Sequence, residues 1–260
     1  VIARVEYLNA DVALADAETE WEAAKRDVAI VSESLSNILV SPEPVEPSSP
    51  LFMLTTLDPC EGFQSCVNAS HPILGMLAAK HDAARQAVKA EQANEKPTVY
   101  AFGMHELVSS DLTVLDPEWA VGVGIQYTLF DGFQAKHKAR AAKAVVTKVE
   151  HLTQKAERDL KSLVLKQYEE AEKARDQFVS YGRTLELAKE NLRVRTRAFE
   201  EGMATSLEVV DATLSLERAQ LGRLKAAFDF DYAMFQLLEA SGLTGSYLDY
   251  LAQSTEVGEE

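Results

Sequence analysis

Apolar residues recur every three or four positions over most of this chain, and in one region they switch to strict alternation. Residues 1–39 carry Val5, Leu8, Val12 and Ala15, then in a shifted register Trp21, Ala24, Val28, Val31, Leu35 and Ile38, the spacing of a coiled-coil seam. SPEPVEPSSP (41–50) stops that helix, because proline removes a backbone donor and restricts the residue before it. An irregular linker is expected over 40–70, after which His71-Pro72 opens a second helix, 72–95, broken at Pro97. From Phe133 to Glu201 there is no proline and Gly182 is the single interruption; Ala171, Ala174, Phe178, Tyr181, Leu185, Ala188, Leu192, Arg195 and Phe199 hold one register. The pattern predicts a long helix over 133–201, about 100 Å at ~1.5 Å per residue. Glu201-Gly202 is a turn signal. The last helix, 205–241, places Leu207, Val210, Leu214, Leu221, Leu224, Phe228, Phe235 and Leu238 in one register. Glu217 and Asp231 fall in that seam, so part of it is expected to meet water or a partner. Ser241-Gly242 ends the helix, and an acidic tail, 243–260, follows. Helices of this length need partners along their whole extent.

The period changes over 97–130, which reads as a β-hairpin. PTVYAFGMHEL sets Tyr100, Phe102 and Met104 on one face against Ala101, Gly103 and His105, and a polar loop, SSDLTVLDP, follows. In EWAVGVGIQYTLFDGF, Trp119, Val121, Val123, Ile125, Tyr127 and Leu129 point one way, and Ala120, Gly122, Gly124, Gln126 and Thr128 the other. The residues Trp119 to Tyr127 match the roughly 9–11 of a tilted membrane strand, with Trp and Tyr where interfacial aromatics belong. Alternation alone fits a soluble hairpin equally well. Two strands cannot close a barrel, so insertion into lipid would require strands from elsewhere.

A shift of 202 residues lays VEYLNADVALADAE (5–18) over LEVVDATLSLERAQ (207–220). Ala10 meets Ala212, Leu14 meets Leu216 and Ala17 meets Ala219; further on Ala24 meets Ala226, Asp27 meets Asp229 and Leu35 meets Leu237. Residues 1–39 then read as the last helix of a first repeat and 71–242 as a second repeat, ordered helix, hairpin, long helix, helix. The earlier elements of the first repeat would lie outside this chain.

Chemistry narrows the picture by exclusion. A net charge of −15 over 260 residues, with no basic cluster, argues against nucleic acid as a partner. Val121-Gly122-Val123-Gly124 lacks the third glycine and the strand-to-helix context of a dinucleotide site. The five histidines have no ligand spacing with cysteines or carboxylates. No nucleophile triad or paired-carboxylate arrangement stands out, so neither an enzyme nor a cofactor is expected. Cys60 and Cys66 suit a local disulfide or two free thiols alike.

Three segments in order resemble the TolC-like outer-membrane efflux (channel-tunnel) family. HPILGMLAAKHDAARQAVKAEQANEKPTVYAFG resembles its helix leading into a first strand. VGVGIQYTLFDGFQAKHKARAAKA resembles its second strand, ending in a turn similar to the family's Phe-x-Gly-Gly and opening the long helix. FEEGMATSLEVVDATLSLERAQ resembles its periplasmic tip. The resemblance implies a mainly α fold, with very long coiled-coil-like helices forming an α-barrel and a hairpin contributing to a transmembrane β-barrel. It implies a homotrimer in the outer membrane, most of it periplasmic, that exports drugs or proteins when a periplasmic adaptor and an inner-membrane pump engage its tip. It also implies that Trp119, Val121, Val123, Ile125 and Tyr127 face lipid while the small face of their strand lines a pore. The family narrows its tip with an acidic ring, and the matching positions are Glu208 and Asp211, which share a helical face; two solvated surface carboxylates fit the same spacing. Glu6 keeps the charge in the first repeat and Asn9 loses it. Phe199 and Ala204 stand where family members carry a latching Tyr and Arg, and Gly202 supplies the turn. A periplasmic adaptor with a coiled-coil hairpin is the alternative, but it should show a lipoyl-like β-domain. A structural coiled-coil scaffold would leave the 97–130 hairpin unexplained.

Overall fold

Prolines and glycines divide the chain into elements that run α1 (Ile2–Leu39), β1 (Phe52–Met53), α2 (Cys60–Ser70), α3 (Pro72–Ala93), β2 (Thr98–His105), β3 (Trp119–Gln126), α4 (Gln134–Glu200), α5 (Ser206–Ser241), α6 (Tyr247–Gln253) and β4 (Thr255–Glu256). The structure is a computed structural model and describes residues 2–105 and 119–257. The polar loop expected between the hairpin strands lies outside the described residues. Two units are present, Val1–Gln64 with Leu163–Glu260, and Ser65–Ser162.

In the first unit, the face of α5 turned to its neighbours is a stripe of alanines. Ala212, Ala219, Ala226, Ala233 and Ala240 recur every seventh residue and are all buried. Ala219 packs with Leu185 and Ala188 of α4, flanked by Leu216. A methyl side chain lets two helices approach closely, and most of the large seam residues lie outside this contact. Leu207, Leu214, Leu221, Leu224, Phe228 and Phe235 are exposed, and of that seam Leu238 alone is fully buried. The seam of α1 is also exposed, from Val5 through Ile38, with Leu35 half-buried. Further along, Gly222 of α5 meets the ring of Tyr181: a Cβ there would come within 2.5 Å of its Cε1, whereas a Cβ on Gly182 would meet nothing within 4 Å. Opposite outcomes are therefore expected in urea unfolding. Gly182→Ala should stabilise by about 1 kcal/mol, the helix-propensity gain, and Gly222→Val should cost about 1–3 kcal/mol by overpacking. Shifts of the same sign would contradict this packing.

Helix ends follow backbone chemistry. Gly202 and Gly242 adopt left-handed φ of 73° and 78°. Each closes a paired C-terminal motif, with Met203 N–H donating to Ala198 O (2.8 Å) and Leu243 N–H to Leu238 O (2.7 Å). α1 ends the same way on Val40, at φ 53°, an expensive choice for a β-branched residue. Ser32 and Ser36 hold that end, since Ser32 Oγ donates to Val45 O (3.0 Å) and Ser36 Oγ accepts from Val45 N (2.9 Å).

Parts of the expected irregular linker and of the acidic tail form regular elements. β1 pairs antiparallel with β4, Phe52 opposite Glu256 and Met53 opposite Thr255, and Val257 N–H donates to Leu51 O at 2.9 Å. Phe52 is fully buried, edge-on to Phe230 and Tyr247. α2 starts where the prolines stop, and its Phe63 lies 6.4 Å from both Tyr168 and Tyr250. Tyr250 Oη donates to Asp58 (2.9 Å). Cys60 and Cys66 are free thiols, and burial, with Glu61 and Glu169 nearby, raises the Cys60 pKa.

In the second unit, His71 caps α3 through Nδ1, which accepts from Ile73 N–H (3.2 Å), and His81 bridges to Glu150 of α4 at 3.4 Å. β2 and β3 pair antiparallel, from Thr98 opposite Gln126 to His105 opposite Trp119. Asp131 Oδ2 accepts from Ala135 N–H at 2.7 Å and so caps the start of α4.

Candidate functional site

Two regions hold the residues expected to function, the α4–α5 turn and the β2–β3 hairpin. At the turn, Thr205 is the N-cap of α5 and forms a reciprocal capping box with Glu208. Thr205 Oγ1 accepts from Glu208 N–H, and Glu208 Oε2 accepts from Thr205 N–H, both at 3.4 Å. Glu208 Oε2 also lies 3.3 Å from Arg195 Nη1, an ion pair that crosses from α4 to α5. Neither contact was read from the sequence, although Thr-Ser-Leu-Glu is a visible capping-box signature. Arg195 had been read only as a seam position.

The structure brings Phe199, Gly202 and Glu208 to this one turn, with Asp211 in the second turn of α5. Phe199 is half exposed and Ala204 half-buried. Asp211 is exposed, and its carboxylate has no ion-pair or hydrogen-bond partner among the described residues. The neighbouring arginines of α4 are engaged locally, Arg193 with Glu190 at 2.7 Å and Arg197 with Glu201, just past the helix end, at 3.3 Å. The Arg193 guanidinium holds the Glu190 carboxyl below its ordinary pKa by donating a hydrogen bond to it.

On the hairpin, Trp119, Val121, Val123 and Ile125 share an exposed face with Val99, Ala101, Gly103 and His105. Tyr127 does not belong to the strand, contrary to expectation. The ladder ends at Thr98 opposite Gln126, because Pro97 beyond it has no N–H to donate. The opposite face also differs from the small surface expected. Tyr100 and Phe102 of β2 lie across Gly124 and Gly122, so closely that a Cβ on either glycine would come within 2.6 Å of the covering ring. Alternation within one strand cannot reveal what its partner lays over it.

A further site escaped the sequence pattern. Asp231, expected to meet water or a partner, is instead half-buried, and its Oδ2 accepts from Phe52 N–H (3.2 Å). Its Oδ1 is buried without a hydrogen-bond partner among the described residues. Burial pushes its carboxyl up to about 7, against the opposing effect of the Phe52 hydrogen bond. Among the described residues no cluster of His, Cys, Asp and Glu could hold a metal, and no helix is long and apolar enough to cross a membrane.

The family profile described as "Outer membrane efflux protein" matches residues 65–243. A membrane protein from Pseudomonas aeruginosa is similar in structure with a TM-score of 0.78 at 16% identity, covering 92% of this chain and 56% of its own. The outer membrane protein VceC from Vibrio cholerae gives 0.73 at 18% identity, with 91% of this chain and 58% of its own covered. The open state of the Neisseria gonorrhoeae MtrE outer membrane channel gives 0.72 at 19% identity, with 93% and 56% covered. The chain thus spans a little over half the length of these solved structures. No curated protein sequence matches it significantly. At these identities the structural likeness establishes the fold: long helices of an α-barrel channel type with a small antiparallel hairpin. The profile match covers well over half of the chain, which belongs to the outer membrane efflux protein family.

Proposed function

We propose that the protein is the outer-membrane channel subunit of a tripartite efflux or type I secretion system. It works as a passive conduit, opened when a periplasmic adaptor and an inner-membrane pump contact its tip. Three copies assemble, the hairpins joining a lipid-embedded β-barrel and the long helices a periplasmic α-barrel. The observation that carries this reading is the exposure of large apolar residues where alanines already fill the contacts within the chain. Leu221, Leu224 and Phe228 of α5, and Trp119, Val121, Val123 and Ile125 of β3, have no cover of their own and suit neighbouring subunits and lipid respectively. Family membership favours the channel over the adaptor.

In this reading residues 1–39 are the last helix of a first repeat, 40–70 the inter-repeat segment and 71–242 the second repeat. α1 carries Ala10, Ala17 and Ala24 at the spacing of the α5 stripe, and they are exposed, as suits a helix whose packing partner belongs to the first repeat. The gate lies at the α4–α5 turn, where Gly202 makes the bend, Phe199 stands exposed beside it, and Glu208 and Asp211 supply negative charge. No covalent step is involved.

The test is electrical. Full-length protein in planar bilayers should form cation-selective channels, and Glu208→Gln with Asp211→Asn should lower the cation-over-anion permeability ratio several-fold, about as expected of a charged ring in a narrow lumen. Unchanged selectivity and unchanged block by divalent cations would overturn the gate assignment.

A further inference from the structure

We propose that Arg195 sets the ion selectivity of the tip by withdrawing Glu208 from the lumenal field, leaving Asp211 as the carboxylate that passing ions meet. The inference rests on the channel reading above and divides between two residues a role that the family resemblance assigns to both.

The geometry separates the two acids. Glu208 is committed three ways: its carboxylate accepts from Thr205 N–H, its own N–H donates to Thr205 Oγ1, and its Oε2 lies 3.3 Å from Arg195 Nη1. The Asp211 carboxylate has no hydrogen-bond or ion-pair partner among the described residues, although its backbone carbonyl accepts from Ser215 Oγ at 2.7 Å. The neighbouring cations are already paired, Arg193 with Glu190 of its own helix and Arg197 with Glu201 just past its end. Arg195 is the arginine among these three that reaches across to α5.

The electrostatic consequence is simple. Opposite charges 3.3 Å apart act at a distance as a dipole. About 10 Å away, the distance over which charges in salt water still act, such a pair produces at most about a third of the potential of a single charge. An unpaired carboxylate keeps its full monopole. Glu208 and Arg195 are both close to half exposed, so the pair adds little to stability, and its effect belongs in selectivity rather than in melting temperature.

The experiment measures zero-current potentials of full-length protein in planar bilayers under a salt gradient. Asp211→Asn should lower the permeability ratio about threefold, while Glu208→Gln alone should change it by less than about 1.5-fold. Arg195→Gln should raise the ratio about twofold by releasing Glu208, and adding Glu208→Gln to that variant should cancel the rise. Arg195→Lys keeps the charge and should stay at the parental value, so a failure of Arg195→Gln to assemble would still leave the single acid variants and the lysine variant to decide. The inference is overturned if Glu208→Gln matches Asp211→Asn, or if Arg195→Gln assembles and leaves the ratio unchanged. If the double acid variant itself has no effect, the gate assignment fails, and this inference with it. If the double variant lowers selectivity but the single variants share the loss equally, only the inference fails.

Discussion

Phe52→Ala should destabilise the protein by about 3–5 kcal/mol, the range for deleting a large buried aromatic side chain. The site explains why a two-residue strand matters so much. Phe52 is fully buried, 6.0 Å from Phe230 and 5.8 Å from Tyr247, with both rings turned nearly perpendicular to its own. Such edge-to-face pairs add to plain burial. The same residue carries the N–H that Asp231 accepts and the ladder position opposite Glu256. Its ring therefore fastens three segments, the chain after α1, the C-terminal part of α5, and the segment that runs through α6 to β4. Chemical unfolding of the purified protein measures the loss. Phe52→Leu, which keeps most of the volume, should cost less than about 1.5 kcal/mol. Limited proteolysis gives a second readout, because the released segment around 41–58 should become the first site of cleavage. A Phe52→Ala variant within about 1 kcal/mol of the parent would show that this packing is not what holds the segment.

That role was hidden in the sequence, and the reason is physical. Prolines and serines over 41–50 read correctly as a helix stop, but they drew the eye past Phe52 and past the Phe63/Val67 spacing that marks α2. Short elements have little periodicity of their own, and here they are held by rings that come from residues 168, 230, 247 and 250. The long helices show the opposite balance. Their existence was plain from the 3-4 pattern, yet on α5 that pattern did not show which face packs within the chain. Hydrophobic scanning favours leucine and phenylalanine, whereas close helix contact within one chain favours alanine, and Ala212 to Ala240 were overlooked as filler. Most of the large residues that the 3-4 pattern marks on α5 are the ones left exposed within the chain.

The candidate site was legible in the same partial way. Gly202, Glu208 and Asp211 followed from a turn signal and a spacing of three, together with the family resemblance. Alternation identified the exposed apolar face of β3 but ran one residue too far, to Tyr127, because the end of a strand is set by its partner. The Arg195–Glu208 pair joins residues thirteen apart on two helices, so no local pattern contains it. Asp231 looked like any polar interruption of a seam, and only the arrival of Phe52, 179 residues earlier in the chain, gives it a different meaning.

Asp231 is the basis of a pH-dependent stability, expected to run in the direction opposite to most carboxylates. Its folded-state pKa stands near 7, raised from an ordinary 3.8 chiefly by burial, so the folded protein holds this proton where the unfolded chain releases it. The contribution to stability is then fully present below about pH 4 and is lost as pH rises through about 7. A shift of this size corresponds to about 4 kcal/mol if fully realised, and to about 2–4 for a group that is only half-buried. The charged form is penalised because Oδ1 has no partner and the surrounding faces are aromatic, with Tyr247 the titratable neighbour; burial first, and then the Asp231 charge, raises the tyrosine's own pKa. Asp231→Asn preserves an acceptor for Phe52 N–H and removes the charge. It should melt with the parent at about pH 4 and increasingly above it as pH rises to about 7, with the full difference at pH 8, so that the difference between the two curves, rather than either curve, isolates this one group. Tyr247→Phe should leave that slope intact over the same interval, because the phenol remains protonated throughout. Parallel curves for the parent and Asp231→Asn from pH 5 to 8.5 would mean that water reaches the carboxylate and that the strap over it is looser than its aromatic packing implies.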